Sequence, residues 1–196
     1  MDSKLLEFKT KALEDNIPIM RDEVINYIKK LITNYKLKNI LEIGTAVGYS
    51  AVNFALTKSD VKITTIERDQ KRFLAAIKNV KSFGLEDRIE LVLSDALETS
   101  LDTEEKFDLI IIDAAKGKNI DFFNKFKENL KIGGLIITDN TLFHGLVGNS
   151  ETIESKNLRS LVKKIEKYIE FLKTNEEYET VFLELGDGIA ISKKRN

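Results

Sequence analysis

The sequence predicts an α/β fold in which a mostly parallel, seven-stranded sheet has helices on both faces and ends in an antiparallel hairpin. Two observations predict this fold. Apolar segments of about five or six residues alternate with segments whose apolar residues recur at helical spacing, as parallel strands alternate with crossover helices. Near the C-terminus, two strand-like segments flank Gly186-Asp187-Gly188, a composition typical of a hairpin turn.

Two helices are predicted before the first strand. Residues 5–13 show a weak helical pattern, and a clear amphipathic pattern begins at Val24 and continues through Ile32. Pro18, the only proline, holds the link between the two helices extended. The apolar residues of that link, 17–20, fit two roles equally well: they are part of the core, or they close over a ligand.

The rest of the chain supplies the alternation of strands and helices. The predicted strands cover residues 39–43, 62–66, 89–93, 109–113, 135–138, 179–185 and 189–192. The predicted helices between them cover residues 49–56, 70–83, 120–130 and 158–172. Because no repeat, low-complexity tract or linker interrupts this order, we expect a single domain over residues 1–196, with residues 1–35 as a helical cap over the ligand site.

The composition excludes several classes of protein. The 196 residues carry a formal net charge of −1 and the pI is about 6.0, so no global basic field exists to hold a nucleic acid. The absence of cysteine excludes disulfides and thiolate metal sites. The N-terminus lacks the apolar core of a signal peptide and no apolar run approaches membrane-spanning length, which together predict a cytoplasmic protein.

A glycine turn follows the first predicted strand. Gly44 lets the backbone turn where a side chain would collide, and Gly48 is expected to let the next helix pack closely. Ala46 stands where a dinucleotide-binding fingerprint has its second glycine, so the turn favours a smaller ligand without phosphates. A tight turn with no ligand is the alternative. The spacing Glu42-x-Gly44-x-x-x-Gly48 resembles that of S-adenosylmethionine (SAM) methyltransferases.

Polar residues follow the second and third predicted strands, at the sheet edge where open α/β folds bind ligands. Glu67, about twenty residues past the glycine turn, is predicted to accept both ribose hydroxyls of a nucleoside; a solvated surface carboxylate is the alternative. Asp95 is predicted to accept from an adenine amino group, and Ala96 to offer its backbone N–H. A helix cap at Ser94 or Asp95 is the competing interpretation.

The fourth and fifth predicted strands end in two carboxylates and an amide, from Asp113, Asp139 and Asn140. Such an all-oxygen set suits a divalent ion, and Mg²⁺ is the expected metal. It would lower the pKa of a substrate hydroxyl and hold that oxygen in line with a methyl donor. Lys116 is close enough in sequence to accept the proton or stabilise the oxyanion, although a loop lysine also fits a solvated surface charge.

These motifs resemble the cation-dependent O-methyltransferases, the group that contains catechol and caffeoyl-coenzyme A methyltransferases. The resemblance runs from residue 17 to the C-terminus and rests on residues 17–20, 42–50, 65–67, 94–96, 113–116 and 139–140. It implies a Rossmann-like SAM-dependent methyltransferase fold, SAM and Mg²⁺ as cofactors, and a homodimer. Compared with bacterial members of the group, the chain has about one helix fewer before the Met20 motif. This difference affects the region in which the resemblance implies the substrate lid and part of the dimer contact.

The resemblance also assigns roles to individual residues. It implies that Asp113, Asp139 and Asn140 bind the metal, and that Lys116 acts as the base, so that Asp113 and Lys116 are the expected catalytic residues. The SAM-contacting positions that it implies are Met20, Gly44, Thr45, Ser50, Glu67, Asp95, Ala96 and Asp113.

Within that group, residues 138–147 and 186–194 are most similar to the bacterial tRNA 5-hydroxyuridine methyltransferases. The similarity implies conversion of 5-hydroxyuridine in the tRNA anticodon loop to 5-methoxyuridine. The 4-carbonyl and 5-hydroxyl of 5-hydroxyuracil are vicinal, so both oxygens can chelate one Mg²⁺ as a catechol does. A catechol-like small molecule is therefore the first alternative substrate, and the acidic pI favours it. A non-catalytic SAM-binding module is the second alternative, which would have no need of Asp113, Asp139 and Asn140.

A tRNA substrate would require contacts with phosphates and with an unstacked base. The basic residues predicted to supply them are Lys9, Lys11, Arg21, Lys156, Arg159, Lys163, Lys164 and the tail Lys193-Lys194-Arg195. Each of them also fits a solvated charge, because 32% of the chain is charged. Phe143 and His144, the only histidine, follow the metal motif and fit either stacking on a base or simple packing.

Overall fold

The computed structural model describes residues 3–102 and 104–195. Residues 1, 2, 103 and 196, which the single-domain prediction over residues 1–196 includes, lie outside the described residues. The chain forms two compact units, one containing the described residues up to Ser100 and the other those from Leu101 onward. No helix in the described ranges is both long enough and apolar enough to cross a membrane.

The first unit contains four helices and three strands among its described residues. Its strands are all parallel and lie in the order β3-β2-β1. In chain order its elements are α1 (Ser3–Glu14), α2 (Asp22–Asn34), β1 (Asn39–Ile43), α3 (Tyr49–Ala55), β2 (Lys62–Glu67), α4 (Gln70–Ser82) and β3 (Ile89–Leu93).

The two N-terminal helices of this unit are tied to α3. Helix α2 buries the apolar stripe that the sequence predicts, from Val24 to Ile32. Phe8 of α1 meets the ring of Tyr49 edge-on, with 5.4 Å between the ring centroids. The Tyr49 hydroxyl donates to Asp22 Oδ1 of α2 at 3.2 Å. Both helices are therefore packed elements of the first unit.

The second unit contains two α-helices, three short 3₁₀ helices and four strands among its described residues. Strands β4 and β5 are parallel, β7 is antiparallel to both of its neighbours, and the order is β4-β5-β7-β6. Its elements are β4 (Phe107–Ile112), 3₁₀ turns at Lys116–Lys118, Lys127–Asn129 and Ser150–Thr152, and α5 (Asn119–Phe126), β5 (Leu130–Asp139), α6 (Lys156–Lys173), β6 (Tyr178–Leu183) and β7 (Ile189–Lys194).

The predicted α/β class, with seven strands and an antiparallel C-terminal hairpin, is confirmed. One predicted boundary is wrong: Leu130 was expected to end a helix over residues 120–130, and instead it begins β5. The cause is Gly133-Gly134, which resembles a break but lies inside the strand. Gly133 has a φ of +73°, and the pairing with β4 shifts register between Phe107 and Leu109. This irregularity lets a ten-residue strand pass through a glycine pair.

Candidate functional site

The backbone of the glycine turn after β1 has φ values of +106° at Gly44, +47° at Ala46 and +85° at Gly48. The amide of Gly44 donates to the carbonyl of Ile66 in β2, at 3.0 Å. A Cβ on Gly48 would lie 3.5 Å from the Ala76 Cβ, which is an ordinary contact. Backbone conformation, rather than the close helix packing that we expected, therefore accounts for glycine at position 48.

Glu67, the predicted ribose-binding residue, connects this turn to the end of β2. Its Oε2 accepts from the Ala46 amide and its Oε1 from the Asp69 amide, both at 2.8 Å. The side chain is only 7% exposed, so a solvated surface carboxylate is excluded. Each carboxylate oxygen can accept more than one hydrogen bond, so both still have capacity for a ligand hydroxyl.

A buried hydrogen-bonded chain lies beneath the glycine turn. The Thr65 hydroxyl donates to Glu42 Oε2 at 2.6 Å, and the hydroxyls of Thr65 and Thr45 are 2.7 Å apart. All three residues are almost completely buried. The hydroxyl of Thr45, a predicted SAM-contacting residue, is thus used inside the protein, and the chain holds the turn in place.

We expect Thr65→Val to lower the free energy of unfolding by about 1.5 to 3 kcal/mol, because it removes a buried hydrogen bond to a carboxylate. Urea denaturation followed by circular dichroism measures the loss. Thr64→Val is the matched control, since the Thr64 hydroxyl donates to the exposed Glu90 carboxylate at 3.2 Å. We expect a loss of about 1 kcal/mol or less for the control. Equal losses for the two variants would contradict the importance of the buried chain.

The remaining predicted SAM-contacting residues of the first unit are largely buried. Asp95 follows β3, and its Oδ1 accepts from the Leu97 amide at 2.9 Å, closing a turn rather than capping a helix. Its other oxygen lies 3.9 Å from the Arg68 guanidinium. The Asp95 side chain is 40% exposed, whereas Met20, Ser50 and Ala96 are buried. The hydrogen bond to Leu97 leaves Asp95 with unused acceptor capacity.

In the second unit, strand register brings the two predicted metal-binding carboxylates together. Ile112 of β4 pairs with Thr138 of β5, and the next residue along each strand is Asp113 or Asp139. The residues that follow the carboxyl ends of parallel strands lie at the same edge of a sheet. Lys116 lies in the 3₁₀ turn that follows, and its Nζ donates to Asp113 Oδ1 at 2.6 Å. The lysine is therefore not a free surface charge.

Asp139 is the most perturbed carboxyl of this group. It is 4% exposed and accepts from the Asn140 amide through Oδ1 at 2.7 Å. Burial, followed by the negative charge of Asp113, raises the pKa of Asp139 to about 6, against the opposing effect of Lys116. The negative charge of Asp187 also raises the pKa of Asp139, so three carboxylates act against the single positive charge of Lys116. A bound cation would reduce this excess of negative charge.

These residues fit a hard divalent metal by chemistry. Asp113 and Asp139 carry carboxylate oxygens, and Asn140, the residue directly after Asp139, carries an amide oxygen on a backbone with a φ of +63°. Within residues 3–102 and 104–195, no group of three or more His, Cys, Asp or Glu side chains forms a metal site. The predicted set remains a hypothesis that depends on the amide of Asn140 as its third ligand.

Two carboxylates that sequence reasoning did not single out hold the loop after β5. Asp187 accepts from the His144 amide at 2.6 Å, and Glu166 of α6 accepts from the Gly148 amide at 2.9 Å. From the sequence, Asp187 fits a hairpin turn and Glu166 an exposed helix face. The one available signal was the acidic residue of Gly186-Asp187-Gly188, between two glycines.

Known proteins resemble the chain over most of its length. A family model described as O-methyltransferase matches residues 2–195. The chain is similar to the caffeoyl-CoA O-methyltransferase of Populus kitakamiensis, with 27% identity over 186 residues, covering 91% of this chain and 78% of the relative.

Solved structures match the whole fold. A Staphylococcus aureus protein provisionally assigned as a caffeoyl-CoA O-methyltransferase is 38% identical, with a TM-score of 0.93 and coverage of 97% of this chain and 91% of that one. The O-methyltransferase of Bacillus cereus, solved in complex with SAH, is 26% identical, with a TM-score of 0.85 and coverage of 100% and 92%. The predicted Rossmann-like methyltransferase fold is therefore confirmed.

Proposed function

The chain belongs to the O-methyltransferase family, and from that premise we propose that it transfers the methyl group of SAM to a hydroxyl of a catechol-like small molecule, with Mg²⁺ as the metal. Its relatives include caffeoyl-CoA and flavonoid methyltransferases, whose names specify small aromatic substrates. This proposal departs from the tRNA substrate that the sequence motifs favoured.

The observation that carries the proposal is the buried Asp139 carboxyl beside Asp113 and Lys116. A binding module would gain nothing from a carboxyl whose pKa is raised to about 6 by burial and a like charge. A divalent cation bound by Asp113, Asp139 and Asn140 would stabilise the ionised form of the buried Asp139 carboxyl. When bound, Mg²⁺ supplies Lewis acidity that lowers the pKa of a substrate hydroxyl and a fixed position for two vicinal oxygens.

Lys116 is proposed to accept the proton of that hydroxyl or to orient the water that accepts it. Its Nζ lies 2.6 Å from Asp113 Oδ1, so the amine is held at the edge where the acceptor oxygen would sit. In the reaction, an oxygen lone pair forms the new C–O bond while the S–CH₃ bond breaks and S-adenosylhomocysteine leaves. The hydroxyl proton passes to the lysine amine in its neutral form, or to water that the lysine orients.

The first unit is proposed to bind SAM. Glu67, with spare acceptor capacity on both oxygens, would accept the ribose hydroxyls, and Asp95 would accept from the adenine amine. The SAH-bound Bacillus cereus relative supports a ligand of this class. The other contacts proposed in this unit are Met20, Gly44, Thr45, Ser50 and Ala96.

The basic residues predicted to contact tRNA are partly engaged within the protein. Lys9 pairs with Asp22, and Lys163 pairs with Glu151 at 2.8 Å. Arg159 donates to the Ile153 carbonyl through two nitrogens, and Lys194 to the Lys127 carbonyl. A phosphate would have to share each of these cations with the acceptor that it already contacts. This favours the small-molecule substrate over tRNA 5-hydroxyuridine.

Two further features of the sequence interpretation enter the proposal. We propose that residues 1–35 cap the SAM site and that the chain acts as one domain over residues 1–196. We also propose a homodimer, which the exposed apolar side chains of the first unit support, among them Leu74 and Ile77 of α4 and Leu93 of β3. Multi-angle light scattering of the purified protein measures the assembly.

The proposed function predicts Mg²⁺-dependent methylation of a catechol. Purified protein is incubated with SAM and, separately, with caffeoyl-CoA, 3,4-dihydroxybenzoate or tRNA that carries 5-hydroxyuridine, and products are identified by mass spectrometry. We expect a monomethylated catechol that forms with Mg²⁺ and not with EDTA. Methylation of the tRNA alone would restore the tRNA assignment, and full activity in EDTA would contradict the metal.

A further inference from the structure

The loop after the proposed metal ligands has an unusual backbone. In residues 140–148, positive φ values occur at Asn140 (+63°), Phe143 (+45°), His144 (+57°), Gly145 (+74°) and Gly148 (+86°). Three of these residues carry side chains, for which this region is strained. Such a conformation persists only where surrounding contacts enforce it.

The hairpin turn between β6 and β7 supplies those contacts. The Thr141 amide donates to the Gly188 carbonyl and the Leu142 amide to the Asp187 carbonyl, both at 2.9 Å. A Cβ on Gly188 would lie 2.5 Å from Leu142 Cγ, so the turn approaches the loop as closely as only glycine allows. Loop and turn are therefore packed backbone against backbone.

The side chain of Asp187 adds the contact at the strained centre of the loop. Its Oδ1 accepts from the His144 amide at 2.6 Å, and its Oδ2 lies 3.5 Å from His144 Nδ1. Asp187 is 6% exposed, and in the described part of the chain its Oδ2 has no hydrogen bond. A buried carboxylate is costly unless it is hydrogen-bonded or paired. For Asp187, both the hydrogen-bond donor and the nearby ring nitrogen belong to His144.

We propose that Asp187 is a positioning residue, which holds the loop after β5 in its strained conformation and thereby orients Asn140 and the substrate-facing end of the second unit. This inference rests on the proposed function for its catalytic consequence. The loop begins at Asn140, directly after Asp139, so a change at His144 reaches the proposed ligands through three intervening residues. Displacements of about 1 Å in such a site cost on the order of 10²-fold in rate.

Hydrogen–deuterium exchange tests, independently of activity, whether Asp187 holds residues 140–148 in place. We expect Asp187→Ala to accelerate amide exchange in a peptide spanning residues 140–148 by about tenfold or more, and Asp187→Asn, whose amide oxygen still accepts from His144, to restore slow exchange. Asp102→Ala is the matched control, because it removes another side-chain bond to a backbone amide, from Glu104 in the same unit at 3.0 Å. If Asp187→Ala does not fold, Asp187→Ser, which is too short to reach the amide, replaces it.

Kinetics with the methyl acceptor tests the catalytic consequence. We expect Asp187→Ala to lower kcat by about 10- to 100-fold and to raise the Mg²⁺ concentration needed for half activity, while the Kd for SAM is unchanged. Asp187→Asn should recover most of kcat. Unchanged exchange in Asp187→Ala, or faster exchange with unchanged kcat, would overturn the inference. If the unmodified protein methylates no acceptor, the proposed function fails. The exchange experiment still shows whether Asp187 holds residues 140–148 in place.

Discussion

Asp139→Asn is expected to abolish methyl transfer and, without metal, to make the folded protein more stable at pH 8. Loss of activity follows from removing one of the two carboxylates proposed to bind Mg²⁺, an interaction worth several kcal/mol, so we expect a decrease of about 10³-fold or more. Gain of stability follows from the raised pKa, because the folded state pays to ionise Asp139 beside Asp113.

The pH dependence of that gain has a definite sign. The pKa of Asp139 is about 6 in the folded protein against its ordinary value of 3.8, so between these values the folded state binds more protons than the unfolded state. Stability therefore falls as pH rises through this window, and the full cost is present above pH 6. The advantage of Asp139→Asn should be about 1 to 3 kcal/mol at pH 8 and should disappear below pH 4.

Thermal unfolding at pH 4, 6 and 8, with EDTA or with Mg²⁺, measures both effects. Mg²⁺ should stabilise the unmodified protein at pH 8 and leave Asp139→Asn unchanged, since a ligand stabilises only the state that binds it. Asp121→Asn is the control, because it removes an exposed carboxylate that pairs with Lys118 in the same unit. A variant as active as the unmodified protein would contradict the metal assignment, and one less stable at pH 8 would contradict the electrostatic cost.

Sequence reasoning could propose the candidate site because its residues follow buried strands. Strand β1 was predicted at its observed bounds, and Asp113 and Asp139 were expected at neighbouring strand ends, where the register of Ile112 with Thr138 brings them. Apolar runs of strand length followed by polar residues can be recognised locally in the sequence. The parallel topology then brings those polar residues to the same edge of the sheet.

What the sequence could not predict depends on contacts between distant segments. Gly133-Gly134 has the composition of a break, and only pairing with β4 makes it part of a strand. The link from Asp187 to His144 spans 43 residues and leaves no periodicity that a reader of the sequence could detect. The hydroxyl of Thr45 is likewise committed to Thr65, twenty residues away in the chain. Propensity and motif describe neighbours, whereas these contacts arise from tertiary packing.

Replacement of Lys116 by methionine is expected to lower kcat by about 10²- to 10⁴-fold with little change in SAM affinity, because it removes the proposed proton acceptor. Lys116→Arg separates two roles of this residue. Arginine keeps the positive charge and can still donate to Asp113, but it does not lose its proton at ordinary pH. An arginine variant as slow as the methionine variant would identify Lys116 as a base, whereas recovery by arginine would identify an electrostatic role.

The same substitution should also shift the metal requirement. The Lys116 charge lowers the pKa of Asp139 and pairs with Asp113, so it also opposes a cation bound at these carboxylates. Because Mg²⁺ carries twice the charge of a proton, we expect Lys116→Met to need less Mg²⁺ than the unmodified protein, most clearly at pH 8, where protons compete least. Lys118→Met, which removes a neighbouring exposed lysine paired with Asp121, is the control and should leave rate and metal requirement unchanged. A full rate for Lys116→Met at every pH would show that the lysine only pairs with Asp113.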